Sequence, residues 1–211
     1  MLPEGVSIHT TRLKLAGTSR EELLAMTEKV EEAAALLADA DVDLIAFHCT
    51  GVSTFDPAME TRLKQRITSV AKKPATATSE ALIAAFRALA VRRIVLISPY
   101  PREINRREIA FFAHHNITVL HDIGLELKSG ADFAKIEPEE WHRLTLDNQH
   151  DDADAYFLSC TTIRSTPVIS ALESDLAKPV VTSNQALAWH ALRMAGVSDP
   201  MPGFGDLFVH H

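Results

Sequence analysis

No apolar run in this chain approaches the roughly 18 residues that a membrane-spanning helix needs, and the first residues lack the basic-then-apolar order of a secretion signal. A membrane is therefore not an expected partner, and a cytoplasmic location is the expectation. Lys and Arg form no cluster and the net charge is −7, which speaks against nucleic acid or an anionic lipid surface. Neither G-x-G-x-x-G nor a P-loop occurs, so a nucleotide cofactor is not expected. H-E-x-x-H and C-x-x-C are absent too, and the ten His are scattered, so no metal site is expected. Cysteine is scarce, with two in 211 residues. Without a secretion signal they are expected to stay reduced, as thiols in the cytosol do.

What the chain does contain is ordinary globular material. Hydrophobic residues make up 46% and charged residues 23%, enough for one large α/β domain or two small ones. Short apolar, partly β-branched runs at 43–48, 94–98, 117–121, 155–159 and 179–182 read as buried strands. Amphipathic stretches at 20–38, 58–71, 80–89, 105–114, 138–147, 167–176 and 185–195 read as helices between them. Strands alternating with helices predict a parallel sheet with crossover helices.

The chain also repeats itself. Asp43-Leu-Ile-Ala-Phe-His-Cys49-Thr50 leads to a helix after Pro57, then Lys73-Pro74, a short strand, Thr78-Ser79 and Ala81-Leu82. Asp154-Ala-Tyr-Phe-Leu-Ser-Cys160-Thr161 leads to a helix after Pro167, then Lys178-Pro179, a strand, Thr182-Ser183 and Ala186-Leu187. An ordered series of this kind marks a duplicated unit. It puts Cys49 and Cys160 at matching C-terminal ends of parallel strands, where open α/β sheets bind ligands. Two packing cysteines in matching places are the plainer reading; two thiols facing one ligand is the sharper one.

Thiols so placed can do acid–base or nucleophilic chemistry. The turns that follow them, Thr50-Gly51-Val52-Ser53 and Thr161-Thr162, supply N–H and hydroxyl donors able to stabilise a thiolate or hold a carboxylate. A small carboxylic acid between the thiols could lose a proton on one face and regain it on the other. Alternatively, one thiolate could add to a double bond while the other thiol gives a proton. Tyr100, one of only two tyrosines, is a candidate donor to the substrate. Thr78-Ser79 and Thr182-Ser183-Asn184 read equally as substrate anchors or as helix caps. His48 alternates away from Cys49 and reads as a supporting His, and Phe86 and Trp189 read as core.

These residues resemble the aspartate/glutamate racemase superfamily, in particular its branch of maleate cis-trans isomerases and arylmalonate decarboxylases. The resemblance runs from Leu2-Pro-Glu-Gly to Pro202-Gly203-Phe-Gly-Asp-Leu-Phe208. Its most specific pieces are Cys49-Thr50, Tyr100 through Asn105, and Phe157-Leu-Ser-Cys160-Thr161 with Pro179-Val-Val-Thr-Ser. It implies two pseudo-symmetric flavodoxin-like lobes with parallel sheets, no cofactor, and a small carboxylate held between the lobes. The first lobe would take residues 1–90 plus 185–211 and the second 91–184. By the resemblance Cys49 and Cys160 would be catalytic, and Thr50, Tyr100 and the backbone amides of Gly51 and Thr161 would hold the substrate carboxylate; Val52, Thr162 and Ser183 join them as candidates from their place in the turns, and a homo-oligomer is expected. Decarboxylases of the family carry Gly at the Cys49 position, so two thiols favour racemase or isomerase chemistry. The family's first strand has no counterpart here, and an earlier start with that strand is expected.

A decarboxylase or an ectoine-utilisation enzyme of the same branch is the alternative. A thiol redox protein or a carboxylate-binding protein is the alternative of another class.

Overall fold

The computed structural model describes residues 1–211. Residues 1–19 form no helix or strand. Ser19 caps α1 (Arg20–Ala25), its hydroxyl accepting from Glu22 N while the Glu22 carboxylate accepts from Ser19 N. A tight 3₁₀ turn then leads into α2 (Val30–Asp39). One continuous helix was expected here. Thr27 breaks it: its hydroxyl donates back to Leu24 O, and Arg66 takes the Thr27 carbonyl.

The duplicated unit then appears twice. In the first copy β1 (Ile45–Phe47) leads through α3 (Thr50–Ser53) and α4 (Met59–Ala71) to β2 (Ala75–Ala77) and α5 (Thr78–Ala88). Next come β3 (Arg93–Ser98), α6 (Arg102–His114), β4 (Thr118–Gly124), α7 (Gly130–Phe133) and α8 (Pro138–Asp147). The second copy is β5 (Ala155–Leu158), α9 (Ile169–Leu176), β6 (Val180–Thr182) and α10 (Ser183–Met194), and α11 (Asp206–His210) closes the chain.

All pairing is parallel. β1 pairs with β2 alone, whereas β3 to β6 form one sheet in the order β4-β3-β5-β6. Renumbered within that sheet the order is 2-1-3-4, the start of the flavodoxin-like arrangement, whose switch point lies between the first and third strands. Here that point falls between the ends of β3 and β5.

Period-two alternation divides the core. Val95, Ile97, Tyr156 and Leu158 face one apolar cluster, which also takes in Ile45, Phe47 and Leu63. Ile94, Leu96, Ala155 and Phe157 face another, built on Phe86, Phe112 and Phe208. Phe86, Phe112 and Phe157 meet edge to face, with centroids 5.5–5.8 Å apart. Phe86 and Trp189 are core, as expected. No helix is long and apolar enough to cross a membrane.

Candidate active site

Because pairing within each sheet is parallel, each sheet gathers its C-terminal strand ends at one edge, and the two edges meet where the turn after β1 touches the start of α10. Cys49 follows β1 and opens α3, a turn whose four residues are all buried. Cys160 follows β5, Tyr100 follows β3, and Ser183 follows β6. Thr50 Oγ1 donates to Ser183 Oγ at 2.8 Å, and the same oxygen accepts Cys160 N–H at 3.1 Å. One serine hydroxyl therefore ties the turn after β1 to the turn after β5. Capping of α10 falls to Thr182, which forms a capping box with Gln185. That frees Ser183 for the site.

Both cysteines are free thiols and nearly closed off from solvent. Burial pushes the Cys49 thiol up to about 12, against the backbone N–H groups of Val52 and Gly51, and charge on Cys160 and Glu108 adds to the rise. Cys160 is also raised by burial, but Tyr100 and the Thr162 N–H, 3.3 Å from its Sγ, pull it back. Cys160 has φ +113°, a conformation that costs a residue with a side chain. Its strain sits at the point where the fold places a ligand.

Tyr100 is buried and edge-on to Phe133, with centroids 5.7 Å apart. Burial raises its phenol well above the ordinary value, so it stands as a donor. Its turn is fixed by Ser98 Oγ, which accepts Tyr100 N–H at 3.1 Å and donates to Asn105 Oδ1 at 2.6 Å. Asn105 in turn donates to Asp122. Gly124 is required beside this turn, since a Cβ there would stand 2.5 Å from the Tyr100 carbonyl oxygen.

Of the expected substrate contacts, Thr50, Gly51, Val52, Tyr100, Thr162 and Ser183 converge on the two thiols through these bonds. Thr161 is half-buried and its hydroxyl makes no hydrogen bond within the protein. His48 is held between Thr78 Oγ1 at 3.1 Å and Asn184 Oδ1 at 2.9 Å, bracing the β1 turn against α10. Ser79 points away from the thiols, to Glu60. Glu108 was not anticipated: on an amphipathic helix a Glu reads as a solvent residue, yet this one is fully buried and near enough to act on both thiols. No three His, Cys, Asp or Glu side chains group as metal ligands.

Taken together, fold and site define an α/β protein of parallel sheets with a buried dithiol at the switch point. The model of the arylmalonate decarboxylase family matches residues 1–208, and the chain belongs to that family. Among its relatives, maleate isomerase of Geobacillus stearothermophilus is 25% identical, the match covering 97% of this chain and 84% of the relative. Arylmalonate decarboxylase of Bordetella bronchiseptica is 28% identical, covering 93% and 83%. A mutant Nocardia farcinica maleate cis-trans isomerase, solved with a covalently bound succinylcysteine intermediate, superposes with a TM-score of 0.94 at 22% identity, covering 99% of this chain and 89% of that one.

Proposed function

We propose that this protein is an isomerase acting on a small dicarboxylic acid, in the manner of maleate isomerase, with Cys49 and Cys160 as its catalytic pair. The observation that carries the reading is the placement of both thiols at matching strand ends, joined through Ser183 and Thr50. The substrate lies between two lobes, residues 1–90 with 185–211 and residues 91–184. In the cis–trans reaction one thiolate adds to an alkene carbon and a C–S bond forms. The π pair moves to the neighbouring carbon, where the adjacent carboxylate delocalises it and the other thiol supplies a proton. Rotation about the new single bond follows. Loss of that proton and expulsion of the thiolate then give the trans acid, with no net change in atoms or electrons.

Gly51, Val52 and Thr162 N–H groups, with the Thr161, Ser183 and Tyr100 hydroxyls, supply donors for substrate carboxylates and for the developing negative charge, while the Thr50 hydroxyl, which donates to Ser183, holds that serine in place. The succinylcysteine in the Nocardia relative is the adduct this route requires. The decarboxylase reading is favoured by the family and by the Bordetella relative. Against it stands Cys49, where the resemblance implies glycine in decarboxylases.

The test is to incubate the protein with maleate and follow fumarate by proton NMR, alongside arylmalonate decarboxylation and aspartate racemisation. Fumarate formation that requires both cysteines supports the proposal. Decarboxylation without isomerisation overturns it in favour of the second reading.

A further inference from the structure

Glu108 is the one buried carboxyl beside the thiols, and nothing in the reaction above uses it. It projects from α6 toward the ends of β3 and β5 and is 0% exposed. Ser159, the residue before Cys160, donates its hydroxyl to Glu108 Oε1 at 3.0 Å. Oε2 is buried and has no hydrogen-bond partner within the protein. A carboxylate in that position would leave a charge almost uncompensated, a state that buried acids avoid by keeping their proton.

The surroundings offer little relief. Arg107, the neighbouring cation on the same helix, instead lies over the Phe55 ring at 4.8 Å and reaches toward Glu103 at 3.6 Å. From β1 and α3 the facing titratable group is Cys49, from the β3 turn Tyr100, and from β5 Cys160. β4 supplies no cation either: its Asp122 is exposed and accepts from Asn105. Negative charge on Glu108 raises both thiols and the Tyr100 phenol. A substrate dianion in the site would add to the same repulsion.

We propose that Glu108 is a positioning residue that works as a neutral acid: protonated, it anchors Ser159 beside Cys160 and leaves the thiols free to ionise, and ionised, it sets a buried anion behind both and shuts the pair off. The inference rests on the dithiol reading of the site. Burial lifts the Glu108 carboxyl to about 8, opposed by the Ser159 bond and by Arg107, so the change of state falls just above neutral pH.

The experiment is read without substrate, so that it stands whichever acid is turned over. Wild type and Glu108→Gln are alkylated with iodoacetamide across a pH series from about 6 to about 9.5, and modification of Cys49 and Cys160 is quantified by mass spectrometry. Glu108→Gln and wild type should react alike at the acid end. Above the Glu108 transition the variant should react several-fold faster, because it lacks the anion. A variant-to-wild-type ratio that stays constant with pH overturns the proposal, since a purely structural glutamate would give that result.

Infrared spectroscopy of the unmutated protein supplies the second measurement. A protonated-carboxyl band should persist at neutral pH and vanish as pH rises through about 8, whereas a carboxyl fully ionised at about pH 6 also overturns the proposal. If maleate is turned over, Glu108→Gln should extend activity to higher pH than wild type. If maleate is not turned over while the alkylation and infrared results hold, the substrate assignment fails and the role of Glu108 stands.

Discussion

Ser183 and Thr50 are joined by a buried hydroxyl–hydroxyl hydrogen bond of 2.8 Å, although they lie in different copies of the duplicated unit. The Ser183 oxygen also carries the Cys160 N–H, so its loss strands two buried donors at once. We expect Ser183→Ala to cost about 1–3 kcal/mol, the usual penalty for leaving buried donors unpaired. Urea unfolding measures it. An unchanged midpoint at unchanged slope would mean that water replaces the serine without loss.

The two thiols act on one ligand in the proposed reaction, so their removal should not be additive. Cys49→Ala and Cys160→Ala are each expected to lower turnover of the confirmed substrate by about three orders of magnitude or more, and the double variant should be little worse than either. Steady-state kinetics on the three proteins decides this. A single variant near the wild-type rate would make that cysteine structural. Cys49→Gly recreates the one-thiol pattern and is expected to gain weak decarboxylation of an arylmalonate.

Cys160 holds φ +113°. Glycine adopts such a conformation without the side-chain clash that alanine meets there. Cys160→Gly is therefore expected to be more stable than Cys160→Ala by about 1 kcal/mol, even though both lack the thiol. Chemical denaturation of the pair measures the difference. Equal stabilities would show that the turn relaxes around alanine.

Glu108 also predicts how stability changes with pH. Its folded-state pKa is raised from the ordinary 4.5 to about 8, so between those values the folded protein holds a proton that the unfolded chain has released. Stability from this group is complete below the unfolded value and is lost as pH rises toward about 8. The melting temperature should decline across that window in wild type and decline less in Glu108→Gln. Parallel curves for the two proteins would assign the decline to other groups.

The strands from Arg93 onward could be read from the sequence because each holds a short apolar, partly β-branched run, buried on both faces in β3, β5 and β6 and half-exposed in the edge strand β4, and the structure places all four within two or three residues of expectation. The repeat supplied β2, whose Ala75-Thr76-Ala77 is too plain to signal a strand by itself. Cys49 and Cys160 were found the same way, by matching position. The Thr27 break, the short helices α3 and α7, and Glu108 could not be found so. The first depends on a reach from Arg66, far along the chain. The two helices are single turns with no room for a period, and Glu108 sits where helical periodicity permits a polar residue and says nothing of the wall that closes over it.

The two copies are similar in sequence and unequal in how they are held. β5 is stitched along both edges, to β3 and β6, so the turn carrying Cys160 grows out of the interior of the larger sheet. β1 is stitched along one edge only, to β2. A small acid needs a passage to thiols that are nearly sealed from solvent, and the cheaper way to open one is to let the Cys49 side yield. In the proposed reaction the Cys160 side is then the anvil, held by two neighbouring strands, and the Cys49 side, held by one, is the hammer.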